Sequence, residues 1–104
     1  MLKIEKIEEG NSIRLAADGS IDRLSSEDFM SNVLSCFLKS NTIVIDMKRV
    51  TYLSSAGLRV FAIGQKTANS KGGSLSLINV SDTVFDVLKA TGFDRVMEIS
   101  LAEK

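Results

Sequence analysis

The 104-residue chain contains no histidine, no tryptophan, no proline and a single cysteine. Without histidine, a Ser-His-Asp or Cys-His relay cannot form, and the usual general base near neutral pH is missing. Zinc sites built on histidine or on several cysteines are excluded as well. The lone Cys36 cannot form an intramolecular disulfide, and its apolar surroundings predict a buried, inert thiol in a reducing compartment. Enzymatic activity would need a lysine or carboxylate base, and no such constellation stands out in the sequence.

The charge of the chain favours no particular class of charged partner. Thirteen basic residues balance thirteen acidic ones, so no electrostatic argument supports binding to nucleic acid or to an acidic membrane. No apolar run approaches the roughly 20 residues of a membrane span. The first residues, Met1–Lys6, alternate in polarity and lack the apolar core of a signal peptide. We therefore expect one cytoplasmic domain over residues 1–104 that binds neither nucleic acid directly nor a membrane.

Alternating and β-branched runs are interleaved with amphipathic segments along the chain. These patterns predict strands over residues 2–8, 13–17, 42–47, 74–80 and 96–99, and helices that begin near residues 25, 58 and 82. The resulting order is β-β-α-β-α-β-α-β. This order predicts an α/β fold with a mixed, mainly parallel sheet, three main helices and an antiparallel strand added by the N-terminal hairpin.

Local signals refine the ends of these elements. A slip in the alternation at Lys6 and Ile7 indicates a bulge or an early end of the first strand, and Asp18-Gly19 is expected to break or bend the second. Ser25 is the expected cap of the first helix, with Leu24 and Phe29 as its hydrophobic staple. Residues 101–104 are expected to form a frayed tail.

The most informative segment is V-T-Y-L-S-S-A-G, residues 50–57, which joins a central strand to a helical pattern. Free N–H groups at a helix N-terminus favour an anion. Ser54 or Ser55 could therefore be a helix cap, a nucleophile or a phosphate acceptor. The segment lacks the patterns of a P-loop and of an esterase elbow. Asp22 and Asp46 could face the same sheet edge, although both also suit solvated turns, and their spacing does not indicate a metal site.

Four segments of the chain resemble the signature of the STAS domains, a family that includes the anti-sigma-factor antagonists. Residues 46–58, D-M-K-R-V-T-Y-L-S-S-A-G-L, resemble the central motif of the family. Residues 18–22, D-G-S-I-D, resemble the turn before its first helix. Residues 71–78, K-G-G-S-L-S-L-I, and 88–93, L-K-A-T-G-F, resemble two later segments. The likeness thus spans nearly the whole chain and implies a single STAS domain.

The resemblance implies a regulatory protein, not an enzyme, that needs no cofactor and no metal. Unphosphorylated, it would bind a serine kinase that doubles as an anti-sigma factor, and so release a sigma factor. Phosphorylation at Ser55 would end this binding, and a PP2C-type phosphatase would restore it. Ser54 is the alternative acceptor, because it stands where the family often has aspartate. The partner-binding residues implied are Asp22, Ser54, Ser55, Ala56, Gly57, Leu58 and Arg59.

Two other functions remain open at this point. The chain could be a STAS scaffold that is not phosphorylated and works in a signalling complex or as a transporter accessory. A small enzyme or nucleotide hydrolase is the other alternative, and the missing histidine and P-loop argue against it. The oligomeric state is also open, because an edge strand could pair with a second copy.

Overall fold

A computed structural model describes residues 2–103 of the chain as one mixed sheet with helices between its parallel strands. The strands are β1 (Lys3–Glu9), β2 (Ser12–Ile21), β3 (Thr42–Leu53), β4 (Ser74–Val80) and β5 (Glu98–Leu101). The helices are α1 (Ser26–Cys36), α2 (Ser55–Ser70) and α3 (Asp82–Ala90), and a short 3-10 turn covers Phe93–Arg95. The spatial order is β1-β2-β3-β4-β5, with β1 antiparallel to β2 and all other neighbours parallel. The predicted α/β fold is confirmed.

One face of the sheet forms the core of the protein. Inward side chains of the three central strands are no more than 2 % exposed; they are Ile13, Leu15, Ile43, Ile45, Leu75 and Leu77. The alternate side chains, such as Val44 and Ser76, are only half-buried. Each helix connects a strand to the next one along the sheet, and right-handed crossovers in one direction place all three helices on one face. The sheet therefore has a helix-covered face and an open face.

Helices α1 and α2 pack on each other through an aromatic pair. The Phe29 and Phe61 rings meet edge to face, with centroids 6.0 Å apart and planes at 83°, a geometry that suits the charge distribution of aromatic rings. Both side chains are fully buried. Cys36, at the end of α1, is buried as expected, and burial raises the pKa of its thiol. The thiol is therefore held in its unreactive, protonated form.

The hairpin strands are longer and more regular than the sequence predicts. β1 pairs with β2 without a break, from Lys3 opposite Asp18 to Glu9 opposite Ser12, so the predicted bulge at Lys6 is wrong. β2 passes through Asp18 and Gly19 as far as Ile21, with register irregularities against β3 in this stretch. Gly19 has a φ of 124°, which absorbs the distortion without breaking the strand.

Strand β3 continues to Leu53, six residues beyond the predicted end at Met47. It does so because the continued β2 offers partners there, with Ser20 opposite Tyr52 and Ile21 opposite Leu53. At the other end of the chain, Leu101 belongs to β5, so the predicted frayed tail does not begin there. Lys104 lies outside the described residues.

The start of α1 also differs from the prediction. Leu24 is 88 % exposed, so the expected staple between Leu24 and Phe29 is wrong. Ser25 does occupy the cap position, but its side chain bonds no helix N–H group. The Ser25 Oγ instead donates to the carbonyl of Ser20 at 2.8 Å. The hydroxyl thus fastens the loop to β2.

A polar cluster ties four strands, β1 to β4, together on the open face. The Arg14 guanidinium on β2 lies 3.1 Å from the Asp46 carboxylate on β3 and 3.3 Å from that of Glu9. Asn79 on β4 donates to Asp46 at 3.0 Å, from a backbone with a φ of 56°. The Lys48 N–H also donates to Asp46. Asp46 is therefore a strand residue whose carboxylate has three hydrogen-bonding partners. The interpretation of Asp46 as a solvated turn is wrong.

We expect the aromatic pair to couple α1 to α2 measurably. In a double-mutant cycle with Phe29→Leu and Phe61→Leu, the coupling free energy of unfolding should be about 0.5–1.5 kcal/mol, because an edge-to-face pair contributes beyond its buried area. Urea denaturation provides the measurement. Phe37→Leu is the matched control, since Phe37 is equally buried but forms no ring pair among residues 2–103. A Phe37–Phe61 coupling as large as the Phe29–Phe61 coupling would contradict the assignment.

Candidate functional site

The segment at residues 50–57, called the serine loop from here on, includes the point where β3 ends and α2 begins, and it is fastened to the end of β2. The N–H and the Oγ of Ser54 both donate to the carbonyl of Ile21, at 3.0 and 3.1 Å. The same Oγ accepts the N–H of Gly57 at 3.4 Å and so caps α2. Ser54 is half-buried. Its hydroxyl therefore forms hydrogen bonds both to the helix and to the neighbouring strand.

Ser55 is in a different situation, although it is the next residue. It is the first residue of α2, it is exposed, and its hydroxyl forms no hydrogen bond among residues 2–103. The first turn of α2 carries no acidic side chain. A negative charge at this position would be favoured by the free N–H groups and the dipole of a 16-residue helix. Ser55 is thus the serine that a second protein can reach.

Gly57 and Leu58 support the loop from beneath. A Cβ on Gly57 would lie 2.5 Å from Leu53 Cδ1 and 2.8 Å from Ile21 Cγ2, so only glycine lets α2 start this close to the two strands. Leu58 is half-buried against the core. Of the seven residues expected at the site, these two shape the loop and expose little surface.

Ala56 and Arg59 point toward α1. They line a cleft between the first turns of α1 and α2, with a volume of about 630 Å³. Arg23, Glu27 and Met30 line its other side. Arg59 is exposed and Ala56 is half-buried. The serine loop therefore adjoins a cleft with charged groups on both walls.

The carboxylate of Asp22 stabilises the loop that follows β2, close to the two serines. Its Oδ1 accepts the N–H groups of Leu24 and Ser25, both at 3.0 Å. These hydrogen bonds, the one from the Ser25 N–H foremost, hold the pKa of the Asp22 carboxyl below its ordinary value, because they favour the ionised form. Because Ser54 donates to the carbonyl of Ile21, Asp22 and the serine loop lie at the same edge of the sheet, which is one of the two placements that the sequence left open for Asp22.

Two exposed apolar side chains at this edge were missed by sequence reasoning. Leu24 is 88 % exposed, in the loop after β2, and Tyr52 is 56 % exposed, two residues before Ser54. An apolar residue just before a helix predicts a hydrophobic staple. Only the exposure of Leu24 in the structure shows that it does not form one. These two side chains add exposed apolar area to the edge of the sheet that carries the serine loop.

The described residues assemble neither a metal site nor a membrane span. Nowhere in residues 2–103 do three or more potential metal ligands come together. Asp46 is engaged by Arg14 on the open face, and Asp22 by its own loop. Within the same residues, no helix is long and apolar enough to cross a membrane.

The two serines should differ in their effect on stability. Ser54→Ala removes a cap and should lower the free energy of unfolding by about 0.5–2 kcal/mol. Ser55→Ala removes a hydroxyl without a partner and should change it by no more than about 0.5 kcal/mol. Urea denaturation of both variants is the measurement, and each is the other's control. Equal losses in the two variants would contradict the division of roles.

The Asp22 carboxyl should make folding sensitive to acid. Its pKa is lower in the folded protein than in the unfolded chain, so its stabilising contribution is full above the ordinary value of 3.8 and is lost as pH falls through the folded value. Asp22→Asn, which can still accept the loop hydrogen bonds, should lose less stability than wild type on acidification below about pH 4. Asp94→Asn is the control, because Asp94 accepts no hydrogen bond among residues 2–103. Identical acid profiles for wild type and Asp22→Asn would overturn this prediction.

Comparison with known proteins agrees with the motifs and the fold. The family model described as STAS domain matches residues 3–104. The chain is 30 % identical over 90 residues to the anti-sigma-B factor antagonist of Bacillus subtilis, covering 86 % of this chain and 83 % of that protein.

Solved structures share the fold at lower identity. An anti-sigma factor antagonist from Mycobacterium paratuberculosis superposes with a TM-score of 0.87 at 16 % identity, covering 96 % of this chain and 86 % of that one. The Bacillus cell fate determinant SpoIIAA in its phosphorylated form gives 0.73 at 17 % identity, covering 95 % and 90 %. The chain therefore belongs to the STAS domain family and is related to its anti-sigma-factor antagonists.

Proposed function

We propose that the protein is a cytoplasmic anti-sigma-factor antagonist that is switched by phosphorylation at Ser55. In its unphosphorylated form it binds a serine kinase that is also an anti-sigma factor, and the sigma factor is released. The observation that carries the proposal is the exposed hydroxyl of Ser55, which forms no hydrogen bond within residues 2–103, whereas the hydroxyl of Ser54 forms two. The relationship to the Bacillus subtilis antagonist supports it, as does the existence of SpoIIAA in a phosphorylated form.

The kinase and the phosphatase catalyse the two reactions of the switch. The kinase transfers the γ-phosphoryl group of ATP to the Ser55 Oγ. The new O–P bond forms while the bond to the departing ADP oxygen breaks, and the hydroxyl proton passes to a base of the kinase. A PP2C-type phosphatase hydrolyses the phosphoserine and restores the hydroxyl. This chain supplies the acceptor and the docking surface, and it is not itself an enzyme.

Phosphorylation acts at the interface and leaves the fold intact. The phosphate brings a charge of about −1.5 to −2, and the start of α2 tolerates this charge because its free N–H groups point outward. At about 4 Å from a carboxylate of the partner, with an effective dielectric constant of about 20, one like-charge contact costs about 4 kcal/mol. This corresponds to roughly a thousandfold loss of affinity.

The surface offered to the kinase surrounds Ser55. Asp22, Ala56 and Arg59 contribute polar and small groups to it, and the exposed side chains of Leu24 and Tyr52 add apolar area. Ser54, Gly57 and Leu58 act indirectly, because they hold the loop in place through the cap, the close approach and the core contact. Apolar side chains ringed by polar ones are the composition that protein interfaces favour.

Incubation with a serine kinase of the anti-sigma-factor class from the same genome, with ATP and Mg²⁺, tests the proposal. We expect phosphate on Ser55 by mass spectrometry and none in Ser55→Ala, which should still bind the kinase. Ser55→Asp should bind about a thousandfold more weakly by calorimetry, if its charge mimics that of the phosphate. Ser54→Ala is the matched control and should still accept phosphate. Phosphate found mainly on Ser54 would refute the assignment, and none at all would favour the non-phosphorylated scaffold.

A further inference from the structure

Arg59 lies on the same stripe of α2 as Ser55. Residues four apart on a helix are neighbours on its surface. Helical side chains also lean toward the N-terminus, so the side chain at position 59 covers the turn that contains positions 55 and 56. From the cleft that it lines, the Arg59 side chain can therefore reach back over the first turn of α2, toward the Ser55 hydroxyl. Its long, flexible stem gives the guanidinium the reach to meet a group attached there.

In the part of the chain that the structure describes, the guanidinium of Arg59 forms no hydrogen bond or ion pair. Within residues 2–103, Arg14 forms both of the observed ion pairs. Ala56, three residues before Arg59 and beside it on the helix surface, has a side chain of one carbon and lines the same cleft as Arg59. The path from the guanidinium to the Ser55 hydroxyl is therefore not obstructed by a bulky neighbour.

Other charged groups face the cleft from α1 and its preceding loop. These are Arg23 and Glu27, of opposite sign. They lie on the far wall, whereas Arg59 is on the same helix as the serine and one turn away. Their charges offset each other in sign, so they favour a phosphate at position 55 less than Arg59 does.

We propose that Arg59 binds the phosphoryl group of phosphorylated Ser55 within the same chain. The inference rests on the proposed function, in which Ser55 is the acceptor. Guanidinium presents several N–H donors in a planar fork that matches phosphate oxygens, so Arg is better suited to this role than Lys. The contact adds to the attraction that the start of α2 already exerts on the phosphate.

The pairing changes the surface that the partner meets. Before phosphorylation, the Arg59 guanidinium is free to contact a carboxylate of the kinase. After phosphorylation, it turns to the phosphate and is withdrawn from the partner. Phosphorylation then acts twice, because it adds an anion to the interface and removes a cation from it.

Phosphoserine placed at position 55 by stop-codon suppression tests the inference without any kinase. A pH titration followed by ³¹P NMR at low salt gives the second pKa of the phosphoserine in the full chain. In Arg59→Gln this pKa should rise by about half a unit relative to wild type, the size expected for an exposed ion pair. Arg59→Lys, which keeps the charge, should restore most of the shift. Lys66→Gln, an exposed cation two turns further along α2, should leave the pKa unchanged.

Several outcomes would overturn the inference. They are an unchanged pKa in Arg59→Gln, an equal rise in Lys66→Gln, or a larger rise in Arg23→Gln, which would move the phosphate contact across the cleft. Circular dichroism on each variant checks that the exposed substitutions leave the fold intact. Because the phosphoserine is installed during synthesis, this experiment is independent of the kinase assay. A failed kinase assay with a positive titration would reject the acceptor role of Ser55 and leave the pairing geometry standing.

Discussion

The candidate site depends on one backbone group, the carbonyl of Ile21. It is the last carbonyl of β2, and it accepts both the N–H and the Oγ of Ser54. These two hydrogen bonds join the end of one strand to the start of the helix that follows its neighbour. Without them, the first turn of α2 would have no fixed relation to the loop of Asp22. The sheet edge that carries the candidate site is thus organised around a single acceptor.

The presence of serine at position 54, where the family often has aspartate, has a physical reason in this arrangement. The side chain must accept the Gly57 N–H and also donate to the Ile21 carbonyl. A hydroxyl can do both, whereas an ionised carboxylate can only accept. Ser54 therefore binds the loop to β2 in a way that aspartate cannot. The hydroxyl of Ser54 is thereby engaged in two hydrogen bonds, whereas Ser55 is the more exposed of the two serines.

Much of the fold and the location of the site could be predicted from local sequence. The periodicity of the strands and helices gave the order of elements, and the segment around Ser54 and Ser55 identified the loop. The ends of β2 and β3 could not be predicted, because the turn signal of Asp18-Gly19 is overridden by parallel pairing with residues about 30 positions away. The partner of Asp46, Arg14, is equally remote in sequence. Similarly, which serine is free depends on the distant Ile21 carbonyl, which no local pattern contains.

The close approach at Gly57 limits how this loop can change over evolution. A side chain at position 57 would collide with those of Leu53 and Ile21, and the Ile21 carbonyl would lie only 3.1 Å from its Cβ. Shorter residues at 21 and 53 could relieve these two collisions, but the tight contact with the backbone carbonyl of Ile21 would remain. Position 57 is therefore expected to be glycine in almost all homologues, whichever residues stand at positions 21 and 53. Divergence in partner choice is then left to the exposed positions around Ser55, which can vary without moving the strand ends beneath them.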